Sequence, residues 1–330
     1  MPSKPFLALA LMMRDEARTI AQTIESCAGV VDLVVLLDTG SRDGTPQIAA
    51  EMCARLRLPL KSHTAPFSDF STPLNMLLDL AENEAEWVFR LAGDEFLRDA
   101  SPAIRDTLRK APRDVAMYAL TLRIGDESLD AIRFTRSRGA RYVGRVHEYL
   151  RLAPGMRDGG RIEGPWIFHS LETRDHTRAM KRFEWDLKVL SEEVALSNDP
   201  RWVFCLAQTH ECLGHVSESV DWYRRRASMG GHRDTVYECW MRIGNVIDRA
   251  GLPWQEASAA WSKARDIAPE RAEPLYQLAL QRERQGRIDE ARVLVTEALT
   301  KRFPREARMF AVPRVYETDL PALARRLGMR

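Results

Sequence analysis

Acidic side chains follow two apolar runs in the N-terminal third of the chain. Asp38 comes directly after the run Val34–Leu37. Asp94 and Glu95 come shortly after the run Trp87–Leu91. Ligand-binding loops of a parallel sheet lie at the carboxyl ends of its strands, so the two acidic turns are expected to meet at one edge. Carboxylates there can accept hydrogen bonds from a ribose and hold the divalent cation of a diphosphate.

Strands and helices alternate in the segment that must position these acids. Apolar runs predict strands at 6–12, 30–37, 58–62 and 87–91. Helical spacing or helix-start residues predict helices that begin near residues 14, 45, 72 and 101, with Thr45 as the N-cap of the second. This alternation with short loops predicts a doubly wound α/β sheet.

The pattern changes after residue 114. Strands are predicted at 115–123, 131–135, 141–146 and 162–170 without helices between them, as an antiparallel extension of the same sheet. Residues 133–161 contain eight arginines but only two acidic residues, Glu148 and Asp158. These arginines are expected either to grip a diphosphate or an anionic acceptor, or to form an ordinary charged face.

The C-terminal half is helical and repeats itself. A long helical pattern covers 173–196, and three similar segments follow at spacings of 37 and 35 residues. The recurring sets are Leu206-Ala207, Gly214, Tyr223 and Ala227, then Ile243-Gly244, Gly251, Trp261 and Ala264, then Leu278-Ala279, Gly286, Val295 and Ala298. This resembles the tetratricopeptide repeat, whose period is about 34 residues. Two domains are expected, 1–172 and 173–330, the second with about three repeats plus capping helices.

Composition excludes several classes of protein. A formal charge of +2 gives no global signal for a polyanion partner. The five cysteines include no CxxC pair, which argues against a zinc knuckle or a redox motif. The N-terminal apolar run Phe6–Met13 is too short to span a bilayer. We therefore expect no membrane span and a cytoplasmic location, with reduced thiols.

Several stretches together resemble family 2 glycosyltransferases, whose catalytic domain has the Rossmann-like glycosyltransferase-A fold. The chain looks most like the bacterial and phage subgroup that carries a C-terminal tetratricopeptide extension. The stretches that carry the resemblance are Met13–Glu16, Val34–Thr45, Phe67–Asn75, Trp87–Glu95, Gly144–Leu150, Arg201–Tyr223 and Arg271–Ala279.

The resemblance implies a set of donor-binding residues. The nucleotide would be bound by Arg14, Glu16, Asp38, Asn75, Ala92 and Gly93, and the metal by Asp94 and His169. Two positions depart from the family pattern. Ala92 replaces the first carboxylate of the usual Asp-x-Asp turn, and Leu74 stands where the family often has an arginine. A single aspartate can still hold Mg²⁺ or Mn²⁺ when phosphate oxygens and waters complete the coordination.

Glu148, in the segment Gly144–Leu150, is the best candidate for the base that activates an acceptor hydroxyl in an inverting transfer. Asp126 and Glu127 compete for that role. Ordinary structural roles stay open for all of these groups: a turn aspartate at Asp38, a helix-dipole carboxylate at Glu16, a surface acid at Asp94, a salt bridge at Glu148 and a core histidine at His169.

Two functions of different classes follow from these patterns. One is a Mn²⁺- or Mg²⁺-assisted glycosyltransferase that uses a nucleotide-diphosphate sugar, with a UDP-sugar favoured. Its acceptor would be a glycan, a peptide or a modified nucleic acid, and its repeats would bind a protein partner. The alternative is a degenerate transferase that acts as a repeat-based binding scaffold. A nucleotidyltransferase is a third reading, but no Gly-rich phosphate loop occurs near residue 14.

Overall fold

The computed structural model describes residues 4–100, 102–125, 127–170, 176–304 and 311–329. The chain forms two compact units, Met1–Asp175 and His176–Arg330. The boundary expected from sequence, after residue 172, lies within residues 171–175, outside the described part.

The N-terminal unit is a mixed α/β structure. Its strands are β1 (Leu7–Met13), β2 (Leu33–Asp38), β3 (Leu60–Thr64), β4 (Trp87–Leu91), β5 (Glu95–Arg98), β6 (Val115–Ile124), β7 (Glu127–Arg136), β8 (Ala140–Val143), β9 (Tyr149–Leu152) and β10 (Arg157–His169). Its helices are α1 (Ile20–Cys27), α2 (Thr45–Leu56), α3 (Ser71–Glu84) and α4 (Ala103–Lys110). Eight strands form one sheet in the order β3-β2-β1-β4-β7-β6-β10-β5, and β8 and β9 form a separate pair.

Strands β1 to β4 run parallel to one another, with helices in the connections. Both faces of this part of the sheet are covered. Leu7, Leu9 and Leu11 belong to one apolar cluster, whereas Ala8 and Ala10 belong to the other. A strand that is buried on both faces reads as a continuous apolar run, which is why the sequence revealed β1, β2 and β4.

The second half of the sheet differs from the antiparallel extension expected from sequence. Strand β7 is antiparallel to β4 and to β6, but β10 is parallel to β6. The predicted strand 141–146 is wrong in extent and position, because β8 ends at Val143 and pairs with β9 outside the main sheet. Strands β5 and β9 were not predicted, because runs of four residues are too short to show a clear period.

The start of α2 also differs from expectation. Thr45 is the buried first residue of the helix, not its N-cap, and its hydroxyl accepts the amide of Glu16. The N-cap is Gly44, and Asp43 before it accepts the amide of Thr45 at 3.1 Å. Thr45 therefore ties α2 to the segment that follows β1.

The C-terminal unit is helical. It contains α5 (His176–Ser197), α6 (Pro200–Cys212), α7 (Val216–Ser228), α8 (Arg233–Arg249), α9 (Trp254–Ile267), α10 (Glu273–Arg284), α11 (Ile288–Leu299), a π-helical turn (Val315–Asp319) and α12 (Leu320–Arg326). Successive helices from α5 to α11 pack against each other, and α12 packs against α11. None of the helices in the described part of the chain is long and apolar enough to cross a membrane.

Three helix pairs repeat the same turn. Gly214, Gly251 and Gly286 follow α6, α8 and α10 with φ of +76°, +67° and +72°, a backbone conformation that favours glycine. After each glycine, the next amide donates to a carbonyl five residues earlier, as His215 does to His210 at 2.9 Å. This is the hydrogen bond that ends a helix in a Schellman motif. The three helix pairs follow the spacing of the expected repeats, and α5 precedes them while α12 follows them in the chain.

Candidate functional site

Loops from several strands meet at one edge of the eight-stranded sheet. Strands β1, β2 and β4 run in the same direction and end at Met13, Asp38 and Leu91. Because β7 is antiparallel to both β4 and β6, and β10 is parallel to β6, β10 also ends at this edge, at His169. The sequence pattern anticipated this convergence for Asp38 and Asp94.

Asp38 is buried at the end of β2 and organises the turn behind it. Its carboxylate accepts the amide of Ser41 at 3.1 Å and the hydroxyl of Ser41 at 2.5 Å. The turn is then joined to the segment after β1, since Ser41 accepts the amide of Asp15 and Asp15 accepts the amide of Arg42 at 2.8 Å. Asp38 thus holds the turn and lies at the carboxyl edge of the sheet.

Glu16 connects this first turn to the second acidic turn. Its amide donates to Thr45, and its side chain packs so closely on Gly93 that a Cβ there would lie 2.7 Å from Glu16 Cγ. The hydroxyl of Thr23 donates to the carbonyl of Gly93 at 2.8 Å. A side chain at residue 93 would push Glu16 aside, so the glycine is required by close packing.

Asp94 and His169 are brought together. The distance from Asp94 Oδ2 to His169 Nε2 is 3.2 Å, and both side chains are about one-fifth exposed. The backbone supports the contact, because the amide of Ser170 donates to the carbonyl of Asp94 at 3.3 Å. An oxygen and an imidazole nitrogen at this separation fit two neighbouring ligands of one Mn²⁺ or Mg²⁺ ion as well as a direct hydrogen bond.

Glu95 supports the turn from inside the protein. It lies opposite His169 in the pairing of β5 with β10. Its carboxylate forms a buried ion pair with Arg133 at 2.6 Å and accepts the amide of Ala92 at 2.9 Å. Within the described residues, no three His, Cys, Asp or Glu side chains come together as a metal-binding set. Any ion at Asp94 and His169 would therefore take its remaining ligands from a substrate or from water.

Arg90 lies among the acidic groups of this edge. Burial lowers the pKa of its guanidinium, but the charges of Tyr142, Glu95, Glu148 and Asp94 outweigh burial and raise the pKa overall. Glu148 is half-buried in the loop between β8 and β9. The charges of the expected metal ligand Asp94 and of the expected base Glu148 thus both act on Arg90. Sequence patterns gave no sign of Arg90, which stands inside an apolar strand.

Two of the expected nucleotide-binding residues have hydrogen-bond partners within the protein. Asn75 donates to the carbonyl of Tyr142 at 2.8 Å and accepts its amide at 2.9 Å, which fastens α3 to β8. The amide of Ala92 donates to the carboxylate of Glu95. Arg14 lies after β1, about half-exposed, with Asp15 at 3.8 Å. Asp126, a candidate base, lies outside the described residues, and Glu127 begins β7 at this same edge.

The arginines of residues 133–161 mostly have partners within the unit. Ion pairs join Arg133 to Glu95, Arg141 to Glu82 and Asp79, Arg157 to Asp114, and Arg161 to Asp130 and Glu163. Arg136 donates to the carbonyls of Ala111 and Pro112 and lies over the Trp87 ring. These five guanidinium groups thus have partners in the fold, which favours an ordinary charged face over a grip on a diphosphate.

The helical unit has a cavity of its own. A volume of about 420 Å³ lies between α7, α8 and α9. Trp240 and Ile243 line it from α8, and Lys263 lies over the Trp240 ring with its Nζ 4.0 Å from the ring centre. Arg224 and Glu256, also in the lining, form an ion pair at 3.4 Å. The cavity therefore has an apolar wall and charged groups beside it.

Two parts thus define the class of this protein: an α/β unit with acidic side chains at the carboxyl edge of its sheet, and a unit of helical repeats. No family model matches the chain. A TPR repeat-containing protein of Synechococcus elongatus is 26% identical over 291 residues, which cover 86% of this chain and 64% of that protein. The chain thus spans just under two thirds of the length of this curated relative.

Solved structures resemble part of the chain. MamA from Desulfovibrio magneticus RS-1 has a TM-score of 0.34 and 19% identity, and covers 46% of this chain and 81% of its own. BtubC from P. vanneervenii has a TM-score of 0.37 and 16% identity, over 46% of this chain and 68% of its own. TM-scores this low carry no argument. The repeat assignment rests on the helix pairs of this chain and on its curated relative.

Proposed function

We propose that the N-terminal unit has the glycosyltransferase-A fold and transfers a sugar from a nucleotide-diphosphate donor, with a UDP-sugar favoured, to an acceptor hydroxyl. The observation that carries the proposal is the 3.2 Å contact between Asp94 and His169 at the sheet edge. The side chain of Glu16 packs on Gly93, the residue before Asp94, and the amide of Glu16 donates to Thr45, which follows the Asp38 turn. A nucleoside and a metal-bound diphosphate need such a neighbouring pair of sites.

Each residue has a task in this reaction. Asp38 and Glu16 bind the nucleoside, while Asp94 and His169 hold Mn²⁺ or Mg²⁺. When bound, the ion supplies Lewis-acid stabilisation of the departing diphosphate. Glu148 accepts the proton of the acceptor hydroxyl. The hydroxyl oxygen bonds to the anomeric carbon of the sugar while the bond from that carbon to the diphosphate breaks, so the configuration at the carbon is inverted. Arg90 supplies a fixed positive charge beside the acids.

Donor binding and hydrolysis test this proposal. Calorimetry with UDP and GDP in the presence of Mn²⁺, followed by release of sugar from the matching donor, is expected to show binding and slow turnover. Asp94→Asn is expected to abolish turnover. Asp114→Asn is the matched control, because Asp114 precedes β6 and so lies at its opposite end from this edge. Equal turnover in the two variants would exclude the proposed role of Asp94.

A repeat-based binding scaffold is the second candidate function. The curated relative is named for its TPR repeats, and it matches 86% of this chain, so the comparison favours this reading over catalysis. Three stacked helix pairs with a lined cavity supply a surface for a protein partner. In this case the sheet unit, which lacks the first acid of the metal-binding turn at Ala92, would have lost its activity.

The two functions give different results in one set of measurements. No binding to the whole panel of nucleotides, with or without Mn²⁺, would favour the scaffold. A scaffold is also expected to retain its partner in Asp94→Asn and to lose it in Trp240→Ala, which removes the apolar wall of the cavity. Lys301→Ala, at an ion pair beyond that cavity, is the control. Metal-dependent turnover in the wild-type chain would favour the transferase.

A further inference from the structure

Two histidines face each other at the junction of α6 and α7: His210 in the last turn of α6 and His215 at the N-cap of α7. The distance from His210 Nδ1 to His215 Nδ1 is 3.2 Å, and their ring centres are 5.4 Å apart with planes inclined by 53°. His210 is half-buried and His215 is exposed. Both residues belong to the helical unit.

We propose that His210 and His215 form a binding site for a divalent transition-metal ion of the Zn²⁺ type, coordinated through their two Nδ1 atoms. Zinc lies about 2.0–2.1 Å from imidazole nitrogen, so two nitrogens on a tetrahedral ion are about 3.3 Å apart. The observed distance is already close to that value. Little movement of either ring is needed to admit the ion.

The turn between the helices holds both histidines in place. The amide of His215 donates to the carbonyl of His210 at 2.9 Å, and Gly214 between them has a φ of +76°. Gly251 and Gly286 occupy the same position in the other two repeats, but Leu252 and Arg287 follow them where His215 follows Gly214. The site is therefore a feature of the first repeat alone, added to a turn that needs no metal to form.

The electrostatic surroundings suit a cation. Burial and the neighbouring His215 lower the pKa of His210, and the carboxylate of Glu218 opposes them. Glu218 lies in the first turn of α7, three residues after His215. The chain provides two nitrogen ligands with a carboxylate nearby, and waters complete the shell.

Zinc binding to the full chain tests the site. Calorimetry with Zn²⁺ is done in a background of Asp94→Asn and His169→Gln, so that the sheet edge does not contribute. We expect one ion to bind and the unfolding temperature to rise with Zn²⁺ concentration. Adding His215→Gln is expected to weaken binding by about tenfold or more. His232→Gln, at the histidine that caps α8, is the matched control and is expected to change nothing.

A second measurement guards against a change in folding. Circular dichroism of His215→Gln without metal is expected to match that of the parent chain. Absorption spectra with Co²⁺ are expected to show bands of a nitrogen-coordinated ion that disappear in His210→Gln. Unchanged Zn²⁺ affinity in the double variant His210→Gln with His215→Gln, or no binding in the parent, would overturn the proposal. Neither result bears on sugar transfer, because that site is disabled in the background.

Discussion

Asp94 and His169 lie in contact where β10 ends beside the start of β5, the strand with which it pairs. Strand β10 places His169 opposite Glu95 in β5, and Glu95 is engaged by Arg133, so Asp94 is the acid that faces the imidazole. In the proposed transferase, Asp94 would therefore be the acid of this turn that holds the ion, although Ala92 replaces the first acid of the family pattern.

Replacing His169 is expected to affect the choice of metal. Imidazole is a good ligand for Mn²⁺, whereas Mg²⁺ prefers oxygen ligands. His169→Gln is therefore expected to weaken Mn²⁺-supported UDP binding by about tenfold, with a smaller loss for Mg²⁺-supported binding. Calorimetry with each ion measures the two losses. An equal loss with both ions would mean that His169 only orients Asp94.

Gly93→Ala is expected to destabilise the sheet unit by about 1–3 kcal/mol. The added Cβ would lie 2.7 Å from Glu16 Cγ, so the side chain of Glu16, which connects the two acidic turns, must move. Denaturant titration measures the loss, and UDP binding is expected to fall with it. Gly29→Ala is the matched control, since no atom lies within 4 Å of a Cβ there, and its midpoint should stay close to that of the parent.

Glu95→Gln is expected to lower the free energy of unfolding by about 3 kcal/mol, because it leaves the buried guanidinium of Arg133 without a charged partner. Arg133→Met added to Glu95→Gln should recover part of this loss, as shown by a double-mutant cycle in denaturant. The exposed ion pair of Asp114 with Arg157 serves as the comparison. Asp114→Asn should leave the midpoint of denaturant unfolding unchanged. Additive losses in the cycle would contradict direct coupling.

Glu238 is expected to make the helical unit less stable as the pH rises. Burial raises the pKa of its carboxyl from 4.5 to about 7, although Arg242 donates to it at 2.7 Å and opposes the shift. Between those two pH values the folded chain binds a proton that the unfolded chain has released, so stability falls with rising pH and levels off above about 7. Thermal unfolding from pH 4.5 to 8 checks this.

The matched variant for that measurement is Glu238→Gln, which keeps the shape and the acceptor oxygen but cannot titrate. Its stability is expected to vary less over the same range, so the difference between the two proteins isolates Glu238. Parallel curves for wild type and variant would mean that other groups set the pH dependence.

The sequence by itself determined the features that depend on local periodicity. Continuous apolar runs revealed β1, β2 and β4 and the acids that follow them, because strands covered on both faces exclude polar side chains. The repeat of small and apolar residues at spacings of 37 and 35 revealed the helix pairs, since each pair must bury the same face against the next.

The tertiary structure alone decided which polar groups meet. The register of β10 against β5 set His169 beside the second acidic turn, and packing of β4 beside β7 buried Arg90 and Arg133 next to the acids. The local sequence around each of these residues does not predict the contact. Side chains in different strands meet only when the strands themselves pair.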